Sequence, residues 1–224
     1  MSTITLIRHG QACAFEKDSD RLTELGFHQS RKLGSYWEGR AFDLAFRGSL
    51  RRHRETAEAA GYPGAIEDPG WNEYDAPAII ATLGPLFYGS GDPRWTAFQQ
   101  NPKENRVFQR MFEPLMAAWL AGEVLHPQVE PFVDYQARVL RAFERAKTSG
   151  GARIAVFTSG GPIGLCLQHT LAAPARTFLD VNWRIRNSSL TEFTFSSANP
   201  ERCSLDVFNT CPHLDRDAAS LTWR

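Results

Sequence analysis

One succession in the last third of the chain constrains the fold more than any other. Arg153-Ile154-Ala155-Val156-Phe157 reads as a strand, Thr158-Ser159-Gly160-Gly161-Pro162 follows as a glycine turn, and an apolar helix then runs through Leu171. Strand, glycine turn and helix in this order make the crossover unit of an α/β protein, because parallel neighbours cannot be joined by a hairpin. A second strand of the same kind opens the chain. Ile4-Thr5-Leu6-Ile7 is short, apolar and β-branched, and it delivers Arg8, His9 and Gly10 to its carboxyl end, where glycine lets the chain turn. In open α/β sheets that edge is where ligands bind. An imidazole held beside a guanidinium there is suited to attack a phosphorus atom whose oxygens the guanidinium grips.

The remaining elements follow from periodicity and breakers. Thr23-Glu24-Leu25-Gly26 reads as a helix start, with Leu33, Tyr36 and Trp37 as its apolar stripe. Phe42 to Phe46 reads as a strand, Arg51 to Ala60 as a helix closed by Gly61 and Pro63, and Ala65 to Glu67 as a third strand. Residues 11 to 22 read as a polar loop. From 70 to 135 the chain is rich in aromatic residues and divided by prolines, which predicts short helices and loops inserted between sheet elements rather than a linker-bounded domain. Val133 to Lys147 reads as a helix, Ser189 to Phe195 and Ser204 to Phe208 as late strands, and His213 to Arg224 as a polar surface tail.

Composition removes several classes of function. With 25 basic and 25 acidic residues the formal charge is zero, so the excess of Lys and Arg on which nucleic-acid affinity rests is missing. No apolar run is long enough for a transmembrane helix, and no charged segment leads into an apolar one as in a secretory signal. Cys13, Cys166, Cys203 and Cys211 lack Cys-x-x-Cys spacing, which predicts reduced thiols and a cytoplasmic protein. The six histidines have neither the helical i, i+4 spacing nor the cysteine neighbours of a zinc site, so no metal and no cofactor is expected.

Three further constellations carry chemistry. Arg47, Arg51, Arg52 and Arg54 crowd a strand-to-helix junction, where a helix N-terminus already attracts anions. One or two of them can face a common pocket, and the others form a solvated face paired with glutamates. Ser159 and Gly160 offer a hydroxyl and backbone N–H groups to an anion. A serine-hydrolase elbow needs glycine two residues before the serine, and Phe157 stands there. Glu73, between Trp71-Asn72 and Tyr74, is a carboxylate among rings, where desolvation favours the protonated form of a general acid.

Together these blocks resemble the histidine phosphatase superfamily, also called the phosphoglycerate mutase-like family. Leu6-Ile7-Arg8-His9-Gly10-Gln11 is similar to its opening signature and Asp20-Arg21-Leu22-Thr23-Glu24-Leu25-Gly26 to its next block. Ser49 to Ala57 resembles its Ser-Pro-Leu-x-Arg-Ala-x-Gln-Thr-Ala block, with Arg52 at the phosphate-binding arginine, and Asn187-Ser188-Ser189 is similar to an Asn-x-Ser that opens a late strand. The resemblance implies a three-layer α/β/α sandwich with a mostly parallel sheet, a single domain over residues 1–224, and an insertion at about 70–135 covering the pocket. It implies a phosphomonoester hydrolase working through a phosphohistidine on His9. Arg8 and Arg52 bind the phosphoryl group, with Ser159 and Gly160. Glu73 is the proton donor, and Gln11, His53 and Asn187 are supporting residues. The partner is a phosphorylated small molecule or phosphopeptide, not nucleic acid or membrane, and the chain is a monomer or homodimer.

One position departs from the family pattern. The turn that carries a second histidine, as in Val-Ser-His-Gly-Gly, here reads Phe157-Thr158-Ser159-Gly160-Gly161. A cationic donor is replaced by a shorter neutral one, and loss of one transition-state donor typically costs about 10²- to 10³-fold in rate. His53 or an arginine of the 51–54 cluster is a candidate to supply the missing charge. The alternative function is therefore a phospho-ligand-binding pseudoenzyme with little turnover. A sugar-phosphate mutase, which must rephosphorylate its intermediate, fits a pocket short of one cation less well.

Overall fold

A computed structural model of the chain describes residues 1–13, 18–196 and 198–223. In chain order its strands and helices are β1 (Ser2–Arg8), α1 (Glu24–Tyr36), β2 (Leu44–Arg47), α2 (Arg51–Ala59), β3 (Ile66–Glu67), α3 (Ala76–Ala78), α4 (Gly84–Tyr88), α5 (Pro93–Gln100), α6 (Asn105–Ala121), α7 (Phe132–Lys147), β4 (Arg153–Thr158), α8 (Gly160–Thr170), α9 (Thr177–Asn182), β5 (Leu190–Ser196) and β6 (Asn199–Thr210). They fall into two compact units, Met1–Glu73 with Arg138–Arg224, and Tyr74–Ala137.

The first unit is built on a six-stranded sheet of order β3-β2-β4-β1-β5-β6. β1 to β4 are parallel where they pair, and β5 and β6 complete the sheet antiparallel. β1 and β4 are buried because side chains alternate to two covered faces. Ile7, Ala155 and Phe157 meet Leu33 and Trp37 from the α1 end and Ala57 and Ala60 from the α2 end. Ile4, Leu6, Ile154 and Val156 alternate to the other face and are fully buried. There Phe143 of α7 meets Phe193 at 5.4 Å, and α8 packs against β1 and β6. This is the three-layer α/β/α arrangement with a mostly parallel sheet.

Helix α1 starts where the sequence places it, with the Thr23 hydroxyl accepting the N–H of Gly26 at 3.0 Å. The strand expected at 42–46 lies at Leu44–Arg47, and that expected at 204–208 extends over Asn199–Thr210. β6 is an edge strand with register shifts against β5 and irregular exposure, so its alternation in the sequence is weak. Of the loop expected at 11–22, residues 14–17 lie outside the described residues, and Ala12 and Leu22 bridge its ends.

Two expectations are corrected. Gly10 does not have the positive φ of a glycine-only turn. It is needed for close approach, since a Cβ there would lie 2.4 Å from the Gly26 carbonyl oxygen of α1. The tail after His213 is a surface segment only in part: Asp215, Arg216, Ala218 and Ala219 are exposed, but Leu214 and Ser220 are buried and the Asn187 amide N–H donates to the Thr222 carbonyl at 2.8 Å.

The second unit has its own aromatic core. Trp119 lies 5.5 Å from Tyr74 and 5.2 Å from Phe132, and its indole N–H donates to the Glu130 carbonyl at 2.9 Å. Tyr88 stacks on Trp95 at 5.8 Å. Tyr74, and Trp71 in the first unit, are buried core residues. No helix among the described residues is long and apolar enough to cross a membrane.

Candidate active site

The carboxyl ends of β2, β4 and β1 lie side by side, because β4 pairs with both of the others. His9 follows β1 directly and its backbone is held on several sides. Its N–H donates to the Thr158 carbonyl at 2.8 Å, and its carbonyl accepts the Ser188 N–H at 3.1 Å and the Asn187 Nδ2 at 3.4 Å. Ser188 has φ of 54°, a left-handed conformation that a non-glycine residue adopts only where its surroundings impose it. The next amide, of Gly10, donates to the Thr56 hydroxyl at 3.1 Å, tying this turn to α2.

The His9 ring is 7% exposed. Its Nδ1 lies 2.7 Å from the Gly10 carbonyl oxygen, which can only accept, so Nδ1 carries the proton and Nε2 keeps a lone pair. Burial holds its pKa well below 6.5, and the charges of Arg52 and Arg8 and the nearby His53 lower it further, against the opposing bond to Gly10. His9 is therefore a neutral imidazole at ordinary pH, with a nucleophilic nitrogen in a field of positive charge.

Of the arginines at the β2–α2 junction, Arg52 is the one whose charge acts on the His9 ring. Its Nη1 donates to Asp20 at 2.7 Å. The other oxygen of Asp20 accepts the Arg51 amide at 2.8 Å. Leu50, at the N-cap of α2, offers no side-chain acceptor, so Asp20 supplies the cap from a distant loop while it orients Arg52. The other three arginines are engaged elsewhere: Arg51 with Glu55 at 2.6 Å, Arg54 with Glu58 at 3.8 Å, and Arg47 with Glu67 at 2.7 Å. Arg8 Nη1 donates to the carbonyls of Ile185 and Trp223.

Ser159 ends the turn after β4 and is 1% exposed. Its hydroxyl lies 2.7 Å from Nε2 of His53, whose ring centroid is 5.9 Å from that of His9. His53 is fully buried, and burial, Arg52 and Arg47 hold its pKa well below 6.5. It is therefore neutral in the site as it stands. Gly160 begins α8, where the first amides have no partner inside the helix. The Gly161 amide donates to Glu73 at 3.0 Å, which brings the carboxylate to this helix N-terminus. Asn187 is fully buried and holds both the His9 carbonyl and, through Oδ1, the Thr222 hydroxyl at 2.9 Å. The Gln11 side-chain oxygen accepts the Thr23 hydroxyl at 3.0 Å. Among the described residues no group of three or more His, Cys, Asp or Glu could hold a metal ion.

Sequence reasoning did not single out Asp20, Gln29 or Thr222. Gln29 is fully buried, accepts the Gln11 amide at 2.8 Å and donates to the Ser220 carbonyl at 2.7 Å. A glutamine on the stripe of α1 between Leu25 and Leu33, one turn from each, is the available signal, and Asp20 is visible as the acid that opens the block before α1.

Comparisons with known proteins bear on the family and the fold. A family model for branch 1 of the histidine phosphatase superfamily matches residues 4–80 and 95–208. Comparison with curated proteins finds no match. Among solved structures the chain is similar to the alpha-ribazole phosphatase of Shigella flexneri, at 20% identity and TM-score 0.62, covering 93% of this chain and 96% of that one. It is similar to phosphoserine phosphatase of Entamoeba histolytica, at 18% identity and TM-score 0.62, with 96% and 100% covered. It is also similar to a mycobacterial glucosyl-3-phosphoglycerate phosphatase solved with inorganic phosphate, at 21% identity and TM-score 0.64, with 95% and 99% covered. At these identities the structures share the fold, while the family match spans most of the sequence: the chain belongs to branch 1 of the histidine phosphatase superfamily.

Proposed function

We propose that this protein hydrolyses phosphomonoesters of small molecules through a phosphohistidine on His9. The observation that carries the reading is the state of the His9 ring: buried, neutral, with Nδ1–H on the Gly10 carbonyl and the charges of Arg52 and Arg8 beside it. A neutral imidazole can attack, whereas an imidazolium cannot. In the first step Nε2 bonds to phosphorus as the bond to the ester oxygen breaks. Glu73 gives that oxygen its proton. Arg8 and Arg52 neutralise charge on the equatorial phosphoryl oxygens, with the hydroxyl of Ser159 and the Gly160 amide as further donors. The Gly10 carbonyl supports the positive charge that the ring acquires on phosphorylation. In the second step water attacks phosphorus, Glu73 accepts a proton, and the N–P bond breaks to return neutral His9.

The names of the related phosphatases, for phosphoserine and for glucosyl-3-phosphoglycerate, make a small phosphorylated metabolite the substrate class to try first. Steady-state hydrolysis of an aryl phosphate by wild type and His9→Ala tests the reading. We expect turnover in the wild type and none above background in the variant. A second reading, a phospho-ligand-binding protein with little turnover, is favoured by Ser159 at the turn where the family pattern has a histidine. Tight vanadate binding without His9-dependent turnover would select it.

A further inference from the structure

Three features of the Ser159 surroundings are not accounted for by the steps above. Ser159 stands at the N-cap of α8, yet its hydroxyl makes no capping bond to that helix. It lies instead 2.7 Å from His53 Nε2. The other ring nitrogen of His53, Nδ1, is buried and has no hydrogen-bond partner among the described residues. Finally, Gly48 at the end of β2 leaves the space that the ring needs, since a Cβ there would lie 2.2 Å from Nδ1.

These features fix the direction of the hydrogen bond. Along the line where a Cβ would project, Gly48 presents a C–H. A ring lone pair can accept that contact weakly, but an N–H at Nδ1 would face a hydrogen with no acceptor. The neutral ring therefore carries its proton on Nε2 and donates it to Ser159 Oγ. The hydroxyl, now an acceptor from His53, has its own proton left to give. Because His9 is bonded through its backbone to Thr158, that proton belongs to a side chain one residue from the His9 anchor.

We propose that His53 is a positioning residue that acts through Ser159: its Nε2–H holds the Ser159 hydroxyl so that the hydroxyl proton is presented to a phosphoryl oxygen at His9. The pair does the work of a single ring at position 159, with the ring supplied from α2 and the donor from the turn after β4. This inference rests on His9 as the phosphorylated residue. It also changes what restoring a histidine at 159 does. A ring at 159 would extend past the Oγ position into the His53 ring 2.7 Å away.

The test is a set of variants assayed with an aryl phosphate, with vanadate binding measured in parallel. We expect Ser159→His alone to lose at least tenfold in kcat, and Ser159→His with His53→Ala to regain at least tenfold over that single variant. His53→Leu and Ser159→Ala should each lower kcat by about 10²-fold, the value of one transition-state donor. Their double variant should be no worse than either. His53→Gln, which keeps an N–H close to the position of Nε2, should recover at least tenfold of what His53→Leu loses. A merely structural role would not produce that recovery or that non-additivity. Nitrogen-15 spectra of the wild-type rings give a readout independent of turnover: the His53 proton should sit on Nε2, with its signal shifting in Ser159→Ala. A His53 proton on Nδ1, additive losses, or a Ser159→His variant as active as wild type would each overturn the proposal. Absence of His9-dependent turnover in the wild type would instead remove the phosphatase reading, and the ring-proton measurement would still decide the His53–Ser159 bond.

Discussion

Asp20 joins stability and activity in one side chain, and two substitutions separate them. Its Oδ2 accepts the Arg51 amide at 2.8 Å, in place of a cap that Leu50 cannot provide, and its Oδ1 accepts from Arg52 at 2.7 Å. Asp20→Ala removes both bonds. A lost N-terminal cap costs about 1 kcal/mol. The ion pair is partly solvated, with Asp20 37% and Arg52 18% exposed, so it contributes only about 0.2–1 kcal/mol. The expected destabilisation is therefore about 1–2 kcal/mol, or a fall in Tm of roughly 2–8 °C for a chain of this size. Asp20→Asn keeps an oxygen for the Arg51 amide and removes only the charge, so it should lose less than about 1 kcal/mol. Both variants release Arg52, and kcat/KM should fall by about five- to tenfold in each, equivalent to roughly 1–1.4 kcal/mol of transition-state binding. Urea denaturation and steady-state kinetics with an aryl phosphate measure the two effects. Equal destabilisation by Asn and Ala would refute the capping role. Wild-type kcat/KM in both would refute the claim that Asp20 orients Arg52.

Other expectations follow from the same geometry. Glu73→Gln should lower kcat/KM for an alkyl phosphate by about 10²- to 10⁴-fold, the range for a lost general acid, and change it little for p-nitrophenyl phosphate, whose leaving group needs no proton; equal losses on both substrates would remove Glu73 from that role. His9, held well below pKa 6.5, should show no ring protonation by NMR between pH 7 and pH 6, and Arg52→Gln, by removing the larger of the two arginine effects, should raise its pKa. His213, half-buried with a pKa near 4, binds fewer protons in the folded state than in the unfolded state, so it withdraws stability as pH falls from about 6.5 toward 4. That window corresponds to roughly 3 kcal/mol. His213→Gln, which keeps a partner for the Ser188 hydroxyl, should lose about that much less stability than wild type between pH 7 and pH 4 in denaturation experiments.

Much of the fold is legible in the sequence because it is local. β1 and β4 are apolar runs of strand length, α1 carries its cap at Thr23, and the glycines after β4 announce a turn into a helix. His9, Arg52 and Ser159 are legible because a strand end, a helix start and a turn each fix where one residue goes. What escaped is the pairing between distant segments. Nothing near Arg52 says that its partner is Asp20, and nothing near Ser159 says that a ring from α2 takes its hydroxyl. The tail misled for a similar reason: Thr222 and Trp223 read as polar or terminal, but their backbone carbonyls accept from Asn187 and Arg8 beside the site. Buried polar contacts of this kind leave no periodic trace, because each depends on two positions far apart in the chain.

The most direct test of the central claim is to trap the covalent intermediate. Wild-type protein and His9→Asn are mixed with a phosphorus-32 aryl phosphate, quenched in base within one turnover, and digested for mass spectrometry. The account predicts an acid-labile, base-stable phosphate on Nε2 of His9 in the wild type and no label in the variant. Label on any other residue, or turnover that persists in His9→Asn, would contradict it.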